Sequence, residues 1–95
     1  MTADGKASAI ADAAINTPGV VALHAGPYGD VVTHLSGQRI VGVRLNETAV
    51  EVQLIVDVAY DLRSVGEQVR GHAERISGLP ARVTIADVVE DGEGE

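Results

Sequence analysis

The sequence predicts an α+β fold: a single small domain with one mixed, mainly antiparallel sheet and two helices packed on one face, in the order α-β-β-β-β-α-β. Three observations predict it. Residues 41–58 alternate apolar and polar with period two, the pattern of a half-buried strand pair. Residues 64–77 repeat apolar side chains at spacings of three and four, with Gly78 and Pro80 close behind. A second alternating run, 82–89, follows at once, so a helix connects two strands and must cross over right-handedly if those strands are parallel. The chain has 95 residues, enough for one core and not for two.

The elements follow in order. Lys6 to Asn16 reads as a short helix, with Ala7, Ile10, Ala11 and Ala14 on one face. "TPG", residues 17–19, ends it, because proline cannot continue the hydrogen-bond ladder and glycine follows. Val20 to Ala25 and Val31 to Leu35 read as two strands around "GPYG", with proline at the second position of a type I turn and a glycine able to turn left-handed after it. As a hairpin, this pair sets His24 opposite Val32 and His34 opposite Ala22. Val21, Leu23, Val31 and Leu35 then share the core face, and His24, Asp30 and His34 the wet one.

Val41 to Leu45 and Ala49 to Val58 form the clearest pair. Val41, Val43 and Leu45 share a face with Val50, Val52, Leu54, Val56 and Val58. The turn at Asn46-Glu47 lacks the Asn-Gly that a two-residue loop prefers, which favours a longer connection. "SVGE", Ser64 to Glu67, matches a capping box at the start of the second helix. Its stripe is Val65, Val69, Ala73 and Ile76, and on the wet side Glu67 can pair with Arg63 and Arg70, and Arg70 with Glu74. Arg82 to Val89 closes the fold with Val83 and Ile85 inward. The domain is therefore expected over residues 6–89, with 1–5 and the charged, glycine-broken 90–95 as flexible tails.

Composition narrows the function. The formal charge is −7, but four of the fourteen acids fall in the last six residues. The chain has two tyrosines, no phenylalanine and no tryptophan. An acidic chain with so few aromatics lacks both phosphate attraction and a stacking platform, so no nucleic-acid partner is expected. Without cysteine there is no disulfide, thiolate nucleophile or zinc–thiolate site. Aspartates occupy "MTADGKASAIADAAIN" where a secretory signal needs an apolar core, and no apolar run reaches ~18 residues. A cytoplasmic chain that does not insert into the membrane is expected.

Chemistry is sparse. On adjacent strands His24 and His34 would be diagonal neighbours near Asp30, and imidazoles so placed could share a metal. Two solvent-facing histidines on a short hairpin is the plainer reading. "HAGPYG" lacks the strand–turn–helix context and Lys-Ser/Thr ending of a phosphate loop. No serine lies in a G-x-S-x-G elbow. Asp57 and Asp61 end a strand and enter a helix, with no aromatic platform for a substrate between them. No catalytic residue and no cofactor is therefore expected.

"TPGVVAL", the glycine-rich turn, "LSGQRIVGVRL" and "AVEVQLIVDVAYDLRSVGEQVRGHAERISGLPARVTIADV" together resemble the alkaline shock, or Gls-type, envelope stress response family, and most closely its short actinobacterial members. The likeness runs from about Ala9 to Val89. It lies in the order and spacing of helix-"PGV", "GVR" before a valine-alternating strand ending in tyrosine, and a helix-"GL"-strand finish. The resemblance implies a cytoplasmic, non-enzymatic protein of cell-envelope homeostasis. Such a protein would act by associating with copies of itself or with a membrane-anchored partner, at the inner face of the membrane. It carries no active site over to this chain, and the histidines are not part of its pattern. Association is expected through an exposed sheet edge or through the outer face of the sheet, where the candidate interaction residues are Ile40, Arg44, Glu51, Gln53 and Ile55, with Tyr28 at the turn. A small-ligand or metal-binding domain using His24, Asp30 and His34 is the alternative.

Overall fold

The computed structural model describes residues 3–35 and 37–90. Its elements are α1 (Ala3–Ile15), β1 (Val20–Leu23), β2 (Val32–Leu35), β3 (Gln38–Val41), β4 (Val43–Leu45), β5 (Val50–Asp57), α2 (Leu62–Ser77) and β6 (Ala81–Val89). With β3 and β4 counted as one run broken at Gly42, this is the order α-β-β-β-β-α-β, in an α+β domain with a mainly antiparallel sheet. The first helix starts at Ala3 rather than Lys6. The C-terminal tail expected from residue 90 lies, from residue 91 on, outside the described residues.

β5 organises the molecule. Its alternation puts Val50, Val52, Leu54 and Val56 on one face, all at most 1% exposed, against Ala7, Ile10 and Ala14 of α1 and Val65, Val69 and Ala73 of α2. Both helices thus cover the same face. β6 runs parallel to β5 along its whole length, from Val50↔Ala81 to Asp57↔Val89, with α2 as the connection. The opposite edge of β5 is shared end to end by two antiparallel strands. β1 pairs with its C-terminal half (Val20↔Val56, Leu23↔Leu54) and β4 with its N-terminal half (Val43↔Val52, Leu45↔Val50).

Between them, residues 24–42 leave the sheet and return to almost the same place. His24 N–H donates to Gln53 O at 3.0 Å, and Gln53 N–H donates to Gly42 O at 3.0 Å. The excursion folds into its own antiparallel ribbon, β2 against β3, in register Val32↔Val41 to Leu35↔Gln38. Gly42 is the re-entry point, at φ +88°, and a Cβ built there would lie 2.5 Å from Leu23 Cβ. Only glycine combines that backbone with that approach.

Here the sequence reading needs correction. β1 and β2 do not pair. The turn between them forms as expected, with Gly29 N–H donating to Gly26 O at 3.1 Å and Val31 N–H to Ala25 O at 2.8 Å. Beyond that one rung the strands part, because each has a better neighbour: β1 the long valine strand β5, and β2 a strand only two residues away. The β4–β5 turn is the longer kind. Asn46 N–H donates to Ala49 O, and the Asn46 side-chain oxygen accepts from Thr48 N–H, Thr48 Oγ1 and Ala49 N–H.

The cap of α2 lies three residues before the expected one. Asp61 is the N-cap and accepts from Ser64 N–H at 3.2 Å, while the Ser64 hydroxyl accepts from Gln68 Nε2. Both are good capping residues, but Asp61 lets Leu62 join the half-buried apolar layer. At the other end Gly78 takes the left-handed cap, φ 75°, and donates its N–H to Glu74 O.

Candidate functional site

The residues singled out for metal binding are not brought together. His24 follows β1, and its Nδ1 accepts from Gly26 N–H at 2.9 Å, a local bond that shapes the turn. Asp30 reaches Arg44 at 3.1 Å. His34 stands exposed on the ribbon opposite Arg39. The diagonal relation of the two histidines required a β1–β2 ladder, and that ladder is absent. Among the described residues no three His, Asp or Glu side chains are grouped to hold a metal ion.

Four of the expected interaction residues do share a surface, the face of the sheet turned away from the helices. Arg44, Glu51 and Arg82 form a row across β4, β5 and β6, followed by Gln53 opposite Thr84 and Ile55 between Ala22 and Asp87. Arg44 is already engaged there: one guanidinium nitrogen meets Glu51 at 2.6 Å and the other meets Asp30 at 3.1 Å. The two contacts fasten the turn between β1 and β2 to the main sheet. Gln53 is 7% exposed and donates to Glu51, and Ile55 is half-buried. Ile40 departs from the expectation. The break at Gly42 carries it out of the β4 register, and it packs against the core. Tyr28, 90% exposed at the tip of the turn, is the most protruding apolar side chain among those described.

The sheet edges differ in a way the sequence does not reveal. Along β4 two outward backbone groups, Val43 O and Leu45 N–H, are met by one side chain of the ribbon. Thr33 Oγ1 donates to Val43 O at 2.6 Å and accepts from Leu45 N–H at 3.3 Å. A threonine in that place partly covers the edge against another strand. β6 has no such cover. It pairs with β5 on one side, and among the described residues no strand pairs with the other. In a parallel ladder alternate residues turn their N–H and C=O the same way. Pro80 O and Val89 O accept from Val50 and Val58 on the β5 side, which leaves the backbone of Ala81, Val83 and Ile85 facing the open side.

Beside that edge a shallow cleft of about 270 Å³ runs between α2 and β6, with Leu62, Gly66 and Arg70 above and Val83 and Ile85 below. Its rim is charged. Arg70 pairs with Glu67 and, at 3.1 Å, with Glu74. The hydrogen bond and charge of Arg70 hold the Glu67 carboxyl below its ordinary value, and the two carboxylates in turn raise Arg70.

An exposed sheet edge was expected from the sequence without naming the strand, and the structure places an open edge at β6. Comparisons with protein-family models, with curated proteins and with solved structures found no match.

Proposed function

We propose that this domain is a non-enzymatic protein–protein interaction module of cell-envelope homeostasis, acting in the cytoplasm through self-association or a membrane-anchored partner. The observation that carries the interaction reading is the β6 edge: nine residues long, unpaired among those described, carrying half-buried Val83 and Ile85, in a sheet whose β4 edge is partly covered by Thr33. Strand addition to such an edge supplies backbone hydrogen bonds without any preformed pocket.

The envelope connection is supported by the resemblance of residues 9–89 to the alkaline shock family. The non-enzymatic reading is supported by the structural roles of the carboxylates the sequence offered. Asp61 caps α2, Asp57 accepts from Ala59 N–H, and Asp30 and Glu51 hold Arg44. No helix among the described residues is long and apolar enough to cross a membrane, so a membrane location in this reading comes through the partner.

The test is photo-crosslinking in cells from a reactive residue placed at Thr84, on β6, against the same residue at exposed Asp12 on α1. Adducts formed at Thr84 and not at Asp12 support the module. Equal or absent adducts at the two positions would refute it.

A further inference from the structure

We infer that the occupant of the β6 edge is a second copy of this chain, added antiparallel about a two-fold axis that passes beside Thr84. The inference rests on the interaction reading above and names the partner and the register. Its argument is charge complementarity. On the face of β6 turned from the helices, Arg82, Thr84 and Asp87 stand opposite Glu51, Gln53 and Ile55 of β5. Those β5 partners are evenly spaced two residues apart, so the register shift between Ile85 and Asp87 brings Asp87 to the position that residue 86 would otherwise hold. Arg82 and Asp87 therefore sit one same-face position on either side of Thr84.

A two-fold axis at Thr84 exchanges them. Each Arg82 falls opposite the Asp87 of the second copy, and two Arg–Asp pairs form at once. Both side chains are exposed. Among the described residues neither is in an ion pair, and the Asp87 side chain accepts only from the adjacent Val88 N–H. Opposite charges directly across an antiparallel pair stabilise it, and like charges destabilise it.

The backbone agrees with the same axis. Val83 meets Ile85 of the second copy and Ile85 meets its Val83. These are residues whose N–H and C=O face the open edge, so they form hydrogen-bonded pairs, while Thr84 meets Thr84 at a position whose backbone bonds are already made to β5. An axis at Val83 or at Ile85 would keep the strands antiparallel but leave Arg82 facing Thr84 or no same-face carboxylate.

Gly66 supplies an independent indication. It is helical, outside the positive-φ glycines, and a Cβ built on it would meet nothing within 4 Å. The monomer has no use for a glycine there, and glycine weakens a helix. It lines the cleft over Val83 and Ile85, the level at which the apolar side chains of a second β6 would enter beneath α2.

The decisive experiment is sedimentation velocity of the purified protein with Arg82→Asp, Asp87→Arg and an equimolar mixture of the two. Either substitution alone turns both pairs into like-charge pairs and should weaken the dimer by ~10-fold or more, the combined change at two exposed pairs. In the mixture both heterologous pairs are again opposite in sign, so a heterodimer should return. Gly66→Ala should raise the thermal midpoint of the monomer while weakening the dimer. Unchanged melting of the two charge variants at a concentration where the wild type is monomeric shows that the fold is intact.

Dimerisation unaffected by either charge change, or no recovery on mixing, overturns the proposed register. A wild-type monomer at every concentration overturns self-pairing, and if Thr84 still crosslinks to another protein the interaction reading survives it. Absence of both would sink both.

Discussion

Among the described glycines, Gly42 is where an added methyl group meets its nearest neighbour at the shortest distance, so Gly42→Ala should be strongly destabilising. The position lies where the excursion of residues 24–42 rejoins the sheet, and three separate pieces of chain converge on it. A Cβ there would stand 2.5 Å from Leu23 Cβ, 3.2 Å from His24 N and 3.4 Å from Gln53 O. Leu23 is packed against the core, and His24 N–H is bonded to Gln53 O, so neither neighbour can withdraw freely.

Two costs add. The left-handed backbone costs an alanine about 1–2 kcal/mol, and forcing a methyl group into a packed site costs about 1–3 kcal/mol more. The sum, about 2–5 kcal/mol, is a large part of the ~5–15 kcal/mol that holds a domain together. Gly29→Ala separates the two costs, because Gly29 has φ 71° and nothing within 4 Å of its would-be Cβ. It should show the backbone cost alone, about 1–2 kcal/mol. Urea denaturation of the two variants beside the wild type measures the difference directly. If Gly42→Ala is no less stable than Gly29→Ala, the close approach of Leu23 to Gly42 is not a feature of the molecule, and the two-strand sharing of the β5 edge loses its physical basis.

Three further predictions concern smaller features. Thr33→Val keeps shape but leaves Val43 O and Leu45 N–H without their side-chain partner, at a cost of about 1–3 kcal/mol; the Leu45 amide should exchange faster with deuterium, and unaltered exchange would show that the hydroxyl does not cover the edge. Asp61→Ala should destabilise by about 1 kcal/mol as the loss of a helix cap, and Ser64→Ala by less, since its hydroxyl meets only Gln68; the reverse order in thermal melts would restore Ser64 as the cap. The Glu67 carboxyl, held low by Arg70, gives a stabilisation that is present above the ordinary carboxylate pKa and is lost as pH falls through the lowered one. An NMR titration of Glu67 should therefore move upward in Arg70→Gln, and in the wild type the depression should shrink with salt because the pair is exposed.

Much of the architecture was legible in the residues. The alternation of Val50, Val52, Leu54 and Val56 named the buried face of β5, and the spacing of Val65, Val69 and Ala73 named that of α2. Gly78 marked the end of that helix, and the parallel pairing that α2 makes possible was anticipated from a strand–helix–strand order. The candidate site was less legible. Arg44, Glu51, Gln53 and Ile55 were correctly placed on one face, but the sequence could not show that Arg44 was occupied by Asp30 and Glu51. Ile40 kept the alternation of its neighbours on paper and lost it at Gly42, where a single positive φ moves the chain from one sheet to another.

The physical reason is the same in each case. A period of two or of 3.6 records which face of an element avoids water, because side chains carry that information, and so the sequence by itself determined the elements and their inner faces. Strands choose neighbours through backbone groups that every residue shares, so nothing in "VVAL" or "VTHL" says which of several valine-rich strands will lie alongside. Only the tertiary structure could decide that β1 and β4 divide one edge of β5, that Thr33 partly covers the edge of β4, and that β6 takes the other side and leaves its own far edge open.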